Sequence, residues 1–133
     1  MGLITVIDSS GDFTGIVGQL AAAQPDAEVR GVASVAGIAF DTAPPFVVVV
    51  APSVAPCAGY EAARAADAAG GHSAVVIVAN EVTNDLLRSA MRAGVADVVG
   101  ALDPAADIAR AILDAYVTAE ARQAAMAQEA APA

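Results

Sequence analysis

Two uninterrupted apolar runs, at residues 46–51 and 74–79, most constrain the fold of this 133-residue chain. Apart from one phenylalanine, both consist of valine, isoleucine and alanine, with no polar residue at alternate positions. A strand that faces water on one side alternates apolar and polar residues, whereas a strand covered on both faces does not. The two runs therefore predict central strands of a parallel sheet that is buried on both faces.

Strand-like and helix-like segments alternate along the rest of the chain. Further strands are predicted at residues 3–7, 27–32 and 97–99. Helices are predicted around residues 13–20, 34–41, 59–69 and 83–93, and in a last segment that Asp103 and Pro104 open as N-cap and first residue. This alternation predicts an α/β fold: a three-layer doubly wound sandwich with a five-stranded parallel sheet. The flavodoxin-like strand order 2-1-3-4-5 is the commonest arrangement of this kind.

Apolar residues at helical spacing predict which helix faces are buried. Thr83 or Asn84 is expected to cap the fourth helix, and Gly94 is expected to end it. The buried stripes predicted for the first, fourth and last helices are Phe13, Ile16, Val17 and Leu20; Leu86, Leu87, Ala90 and Met91; and Ile108, Ile112, Leu113 and Tyr116.

The charge of the chain argues against several classes of partner. Its net charge is −9, and its six basic residues are all arginines. A groove for a nucleic-acid backbone needs clustered basic residues, so no nucleic-acid partner is expected. No apolar run approaches the roughly 18 residues of a membrane span, so direct membrane insertion is not expected either. We expect a cytoplasmic protein that reaches the cell pole or inner membrane only through partners.

The residues that usually carry catalysis or bind metals are scarce. Cys57 is the only cysteine and His72 the only histidine, so neither a disulfide nor a zinc site is expected. Cys57 is predicted to be a small packing residue. The glycine-rich segment 11–18 fits neither the dinucleotide-binding pattern nor the ATP loop, which requires a lysine that the chain lacks. We therefore expect no enzymatic activity, no metal and no cofactor.

Polar residues follow the first, third and fourth predicted strands, at the edge where α/β folds bind ligands. Asp8 and Ser9 come after the first strand, and Pro52 and Ser53 come after the third. Asp8 has two interpretations: it caps a loop or the first helix, or it contacts a ligand. The second interpretation predicts a small-molecule sensor, with a pocket at the strand ends lined by Asp8, Ser9, Ser10, Ser53 and Asn80.

The segment Ala-Met-Arg-Ala-Gly-Val-Ala-Asp-Val-Val, at residues 90–99, resembles the last third of a response-regulator receiver domain. The resemblance extends over residues 3–118. It implies equivalents for the five residues that receivers use in phosphotransfer: Asp8 and Ser9 for the acidic pair, Pro52 or Ser53 for the phosphoacceptor, Ala79 for the switch hydroxyl and Ala101 for the lysine. Only Asp8 keeps the expected type, and a single carboxylate binds Mg²⁺ weakly. The resemblance therefore implies a receiver without aspartyl phosphorylation.

Residues 86–99, together with Leu-Asp-Pro-Ala at residues 102–105, are similar to the N-terminal pseudoreceiver of the CpaE/TadZ family of Flp/Tad pilus assembly proteins. In that family the pseudoreceiver precedes a ParA/MinD-like ATPase domain. The resemblance implies a receiver-like interaction and dimerisation module at residues 1–118, followed by an alanine-rich helical extension or linker at 119–133. Its partners would be a second copy, bound weakly, and other pilus-assembly or localisation proteins.

Receivers commonly pair through the fourth helix, fifth strand and fifth helix. Six residues there alternate in charge and suit reciprocal salt bridges across a two-fold axis: Arg88, Arg92, Asp97, Asp107, Arg110 and Asp114. The alternative interpretation is that these charges form an ordinary solvated surface.

Overall fold

Five parallel strands form a single sheet with the order β2-β1-β3-β4-β5. The computed structural model describes residues 2–9, 15, 17–18, 27–38, 40, 45–54, 57–69 and 73–130. The strands are β1 (Gly2–Ile7), β2 (Ala27–Val32), β3 (Val47–Val50), β4 (Ala74–Ala79) and β5 (Asp97–Gly100). The α/β fold, the parallel sheet and the strand order predicted from the sequence are confirmed.

The two central strands are buried on both faces, as their unbroken apolar sequences predict. All four residues of β3 are fully buried, and no residue of β4 exceeds 4% exposure. Val47 and Val49 face one core, and Val48 and Val50 face the other, because successive side chains of a strand point to opposite faces. The outer strand β5 is only partly buried. Both faces of the sheet must therefore be covered by other elements.

Three helices have described bounds: α1 (Cys57–Ala68), α2 (Asn84–Ala93) and α3 (Ala105–Ala130). Helices α1 and α2 cover one face of the sheet, and α3 covers the other. Val17, from the predicted first helix, is helical and fully buried in the same core as α3. The other residues predicted for that buried stripe, Phe13, Ile16 and Leu20, lie outside the described residues.

The short helix predicted over residues 34–41 is wrong. Within the described part of this segment the chain makes one 3-10 turn, Val35–Gly37, and Ile38 is already extended. Glycine is a poor helix former, and a Cβ at Gly37 would lie only 3.3 Å from the Val32 side chain. The turn sits so close to β2 at this point that a longer helix does not develop.

The ends of α2 follow the sequence prediction. Thr83 Oγ1 accepts a hydrogen bond from the Leu86 N–H at 3.1 Å, so Thr83 is the N-cap. Gly94 has a φ of 88°, and its N–H and that of Val95 bond to carbonyls of the last turn. A left-handed residue with these two bonds is a standard helix termination that favours glycine.

The predicted start of α3 is wrong by one residue. The Pro104 carbonyl accepts bonds from the N–H groups of Asp107 and Ile108, so the helix begins at Ala105 and not at Pro104. The Asp103 carboxylate instead accepts a 2.9 Å bond from the Gly100 N–H. Asp103 thus holds the turn between β5 and α3 together.

Two predictions about burial are also wrong. In the predicted stripe of α2, Ala90 is buried and Leu86 half-buried, but Leu87 is 38% and Met91 78% exposed. Helix α2 precedes β5, the outermost strand of the sheet, and neither Leu87 nor Met91 belongs to a core. Cys57 was predicted to pack, but it is exposed as the first residue of α1.

Helix α3 extends past the core. Among its residues of described burial, which end at residue 125, the last buried one is Ala119, and residues 120–122 are exposed. The helix continues to Ala130, which adds about 16 Å at the usual rise per residue. The division between a domain ending at residue 118 and an extension stays a prediction. Within the described residues, no helix is long and apolar enough to cross a membrane.

Gly59 allows α1 to pack directly on the sheet, and its replacement tests this packing. A Cβ there would lie 2.6 Å from two carbons of the buried Ile77 side chain. Overpacking a core costs about 1–3 kcal/mol, while alanine gains about 1 kcal/mol in helix propensity. We expect Gly59→Ala to lower the free energy of unfolding by about 1 kcal/mol, measured by urea denaturation.

Gly15→Ala is the matched control for this prediction. Gly15 is helical and exposed, and a Cβ there would meet nothing within 4 Å. The change should therefore leave stability equal or raise it by up to about 1 kcal/mol. Equal effects of the two substitutions would contradict the close packing of α1.

Candidate functional site

Four of the five polar residues predicted at the strand ends lie at one edge of the sheet, and the fifth, Ser10, lies outside the described residues. Asp8 and Ser9 follow β1, Ser53 lies in the loop after β3, and Asn80 follows β4. Strands β1, β3 and β4 are neighbours, with Ile7 paired to Val50 and Val50 to Ile77. Because the strands are parallel, their carboxyl ends and the following loops lie side by side.

Asp8 and Ser53 form the central contact of this edge. The Ser53 hydroxyl donates a 2.7 Å hydrogen bond to Asp8 Oδ1, and Asp8 is only 7% exposed. A hydrogen bond to a carboxylate is stronger than one between neutral groups, and burial increases the cost of losing it. Ser9 Oγ adds a long contact of 3.5 Å to the Ser53 carbonyl. The loop after β3 is thus fastened to the end of β1.

Two further contacts join the loop after β3 to the end of β4, and the end of β4 to the end of β5. The Asn80 side-chain amide donates to the Pro52 carbonyl at 3.1 Å. The Ala101 N–H donates to the Ala79 carbonyl at 2.8 Å, which continues the β4–β5 ladder. Ala79 is buried and Ala101 half-buried, and a methyl side chain at either position offers no hydrogen-bond donor.

Of the predicted site residues that the structure describes at this edge, only Asp8 carries a carboxylate. Within the described part of the chain, no three His, Cys, Asp or Glu residues lie close enough together to hold a metal ion. Asp8 contributes one carboxylate, and one of its oxygens already accepts the Ser53 bond. His72 lies outside the described residues. The expectation of a non-enzymatic domain without a metal stays a prediction.

The six charged residues predicted to form an interaction surface are all exposed on α2, β5 and α3. Only Arg110 and Asp114 come together, one helical turn apart at 4.0 Å, and both side chains are more than three-quarters exposed. Such an exposed pair contributes little to stability. Asp97 Oδ1 accepts a bond from the adjacent Val98 N–H at 2.8 Å. Arg88 and Arg92 form no ion pair with any described residue.

Two features of the candidate site were missed from the sequence. The first is the direct hydrogen bond between Ser53 and Asp8. The predicted strand order could have indicated it, because that order places the end of β1 beside the end of β3. The second is that Leu87 and Met91, one turn apart on α2, belong to neither core. The signal for this second feature was the position of α2 over the outermost strand.

Comparison with solved structures identifies the fold as that of response-regulator receiver domains. The signal receiver domain of a putative LuxO repressor protein from Vibrio parahaemolyticus matches with a TM-score of 0.76 at 12% identity, covering 93% of this chain and 96% of that one. A CheY-like receiver from Methanospirillum hungatei matches at 0.72 and 13% identity, over 92% and 98%. A receiver domain from Clostridium thermocellum matches at 0.71 and 20%, over 90% and 98%.

These identities establish a shared fold and not a shared activity. No protein-family model matches the chain, and no curated protein does.

A double-mutant cycle tests the contact between Asp8 and Ser53. Asp8→Ala and Ser53→Ala should each lower the free energy of unfolding by about 1 kcal/mol, since each removes a part-buried hydrogen bond. The double variant should lose less than the two single losses combined, because both changes break the same bond. Chemical denaturation of the four proteins measures the coupling.

Two further variants serve as controls for the cycle. Asp8→Asn should keep most of the stability, because the amide oxygen can accept the same bond. Ser9→Ala should change stability by less than about 0.5 kcal/mol, because its contact is long and exposed. Purely additive losses for Asp8→Ala and Ser53→Ala would show that the two side chains do not interact.

Proposed function

We propose that this domain is a receiver-shaped protein-interaction module that does not take up a phosphoryl group on aspartate. The observation that carries the proposal is the hydrogen bond from Ser53 to Asp8. At the end of β3, where the receiver resemblance places the phosphoacceptor, the chain has a serine that already binds the acidic residue after β1.

The remaining positions support the same proposal. Phosphorylation of a receiver needs carboxylates for Mg²⁺, an acceptor aspartate, and a hydroxyl and a lysine to stabilise the added charge. Here the hydroxyl and lysine positions are Ala79 and Ala101, and the chain contains no lysine at any position. A cluster with one carboxylate and no lysine provides neither the metal site nor the charge compensation.

The surface proposed for interaction combines charges with exposed apolar side chains. We define the α2–β5–α3 face by Leu87, Met91 and the six residues Arg88, Arg92, Asp97, Asp107, Arg110 and Asp114. Methionine and arginine are enriched at protein interfaces, and Met91 is the most exposed apolar side chain of α2. The face has no aromatic anchor, and its charges are solvated, so pairing through it is weak.

The similarity of residues 86–105 to CpaE/TadZ pseudoreceivers gives this module a specific role in the proposal. It pairs with a second copy and with pilus-assembly or localisation proteins, and so helps to place a ParA/MinD-like ATPase at its site. Helix α3, continuous from the sheet to Ala130, is a suitable physical connection to a following domain. The domain acts in the cytoplasm and reaches the pole or the inner membrane through its partners.

The proposal predicts that phosphodonors leave the domain unmodified. After incubation with Mg²⁺ and acetyl phosphate, intact-mass spectrometry should find the unmodified mass alone. A phosphorylatable receiver treated in parallel is the positive control. A stoichiometric phosphoryl adduct on Asp8, or on any residue at the strand ends, would refute a receiver without phosphotransfer.

The proposal also predicts weak self-association through the α2–β5–α3 face. Sedimentation equilibrium over a wide concentration range should show a monomer–dimer equilibrium. Met91→Glu, Arg92→Glu and Arg110→Glu should each shift it towards monomer, because each places a carboxylate on a face that already carries three. Arg64→Glu makes the same change of charge as the two arginine variants at an exposed residue of α1 that is not part of that face, and it should leave the equilibrium nearly unchanged. A wild type that stays monomeric at the highest concentration would exclude self-pairing.

A further inference from the structure

A cavity of about 250 Å³ lies at the opposite edge of the sheet, beside the start of β4. It is bounded by the last turns of α1 and α2 and by the part of α3 that extends beyond Ala119. Its lining residues are Ala63, Ala66, Asp67, Ser73, Met91, Arg92, Ala93, Gly94 and Arg122. The alanines and the glycine leave the space open, while arginine, aspartate and serine provide its polar groups. Met91 and Arg92 also belong to the α2–β5–α3 face, but the proposed function gives no role to the other lining residues.

Two guanidinium groups give the cavity an excess of positive charge. Arg92 and Arg122 line it, and neither makes an ion pair with a described residue. By contrast, Arg30 and Arg110 lie beside Glu28 and Asp114. The cavity contains one carboxylate, that of Asp67, so its formal charge is +1 in a chain of net charge −9. This local reversal of charge favours an anionic ligand.

Several other polar groups around the cavity are engaged in hydrogen bonds. Ser73 donates its hydroxyl proton to the Pro45 carbonyl, so that proton is not available to a ligand. The carbonyls of Ala90 and Met91, at the end of α2, accept the N–H groups of Val95 and Gly94. Without these bonds, the two carbonyl oxygens would add partial negative charge beside the cavity.

We propose that the cavity binds a small dianion with two or more anionic oxygens, held between Arg92 and Arg122. A guanidinium donates two parallel hydrogen bonds to a carboxylate or phosphate, which makes these groups its preferred partners. The cavity is smaller than the roughly 300–1,000 Å³ of most small-molecule pockets, so the ligand is a compact ion and not a nucleotide. Inorganic phosphate and a short dicarboxylate share this chemistry.

Binding at this place would link two parts of the chain. Arg92 belongs to a helix packed on the sheet, whereas Arg122 belongs to the part of α3 beyond the last fully buried residue. An ion held by both guanidiniums stabilises the helix extension against the domain. The ligand therefore regulates how rigidly the extension is held.

Isothermal titration calorimetry on the full chain at low salt tests the proposal, with phosphate, succinate and chloride as separate probes. Phosphate or succinate should bind saturably in the millimolar range or tighter, and chloride should not. Arg92→Gln and Arg122→Gln should each weaken binding about tenfold, the scale of a lost charge-assisted bond. Asp67→Asn should tighten it, because the only carboxylate of the cavity is removed.

Arg64→Gln is the matched control, since it removes an exposed arginine of α1 that does not line the cavity. It should leave the affinity unchanged. If Arg64→Gln and Arg92→Gln weakened anion binding equally, the anion would be attracted by positive charge in general and not by this cavity. That result would overturn the proposal. Absence of saturable binding by both phosphate and succinate would also overturn it. Arg122 and Asp67 lie outside the α2–β5–α3 face. Their variants therefore separate the effect on anion binding from any effect on self-association.

Discussion

Burial of both faces of β3 and β4 is the constraint on which the rest of the structure depends. Side chains of Val47–Val50 and Ala74–Ala79 alternate between two cores, so neither face of the sheet tolerates water. Helices must therefore cover both faces. With right-handed crossovers, every connecting loop then lies either at the amino ends or at the carboxyl ends of the parallel strands. The polar contacts and the cavity lie at these two ends of the sheet because the interior is filled by apolar side chains.

The carboxyl edge of the sheet retains the geometry of a receiver but has different chemistry. Asp8 is held by a serine of the adjacent loop, Asn80 holds the same loop from the other side, and methyl groups stand at the remaining positions. These contacts are made within the chain itself.

The sequence predicted the parts of this structure that depend on local patterns. Unbroken apolar runs predicted the central strands, and Thr83 and Gly94 predicted the ends of α2. It did not predict features that depend on position within the sheet. Met91 continues an apolar stripe at helical spacing, yet it is 78% exposed and lines the cavity beside the end of α1. The contact of Ser53 with Asp8 depends on the β1–β3 register, and Arg92 and Arg122, far apart in sequence, share a cavity only after α3 folds past the sheet.

A Mg²⁺ titration followed by amide NMR tests most directly whether the Asp8–Ser53 contact takes the place of metal and phosphoryl chemistry. We predict that the amide signals of Asp8, Ser53, Ala79 and Ala101 show no saturable shift through the millimolar range, because one carboxylate bonded to a serine cannot compete with water for this cation. Saturable shifts confined to these amides would contradict the account, since they would reveal a working metal site at the carboxyl edge of the sheet.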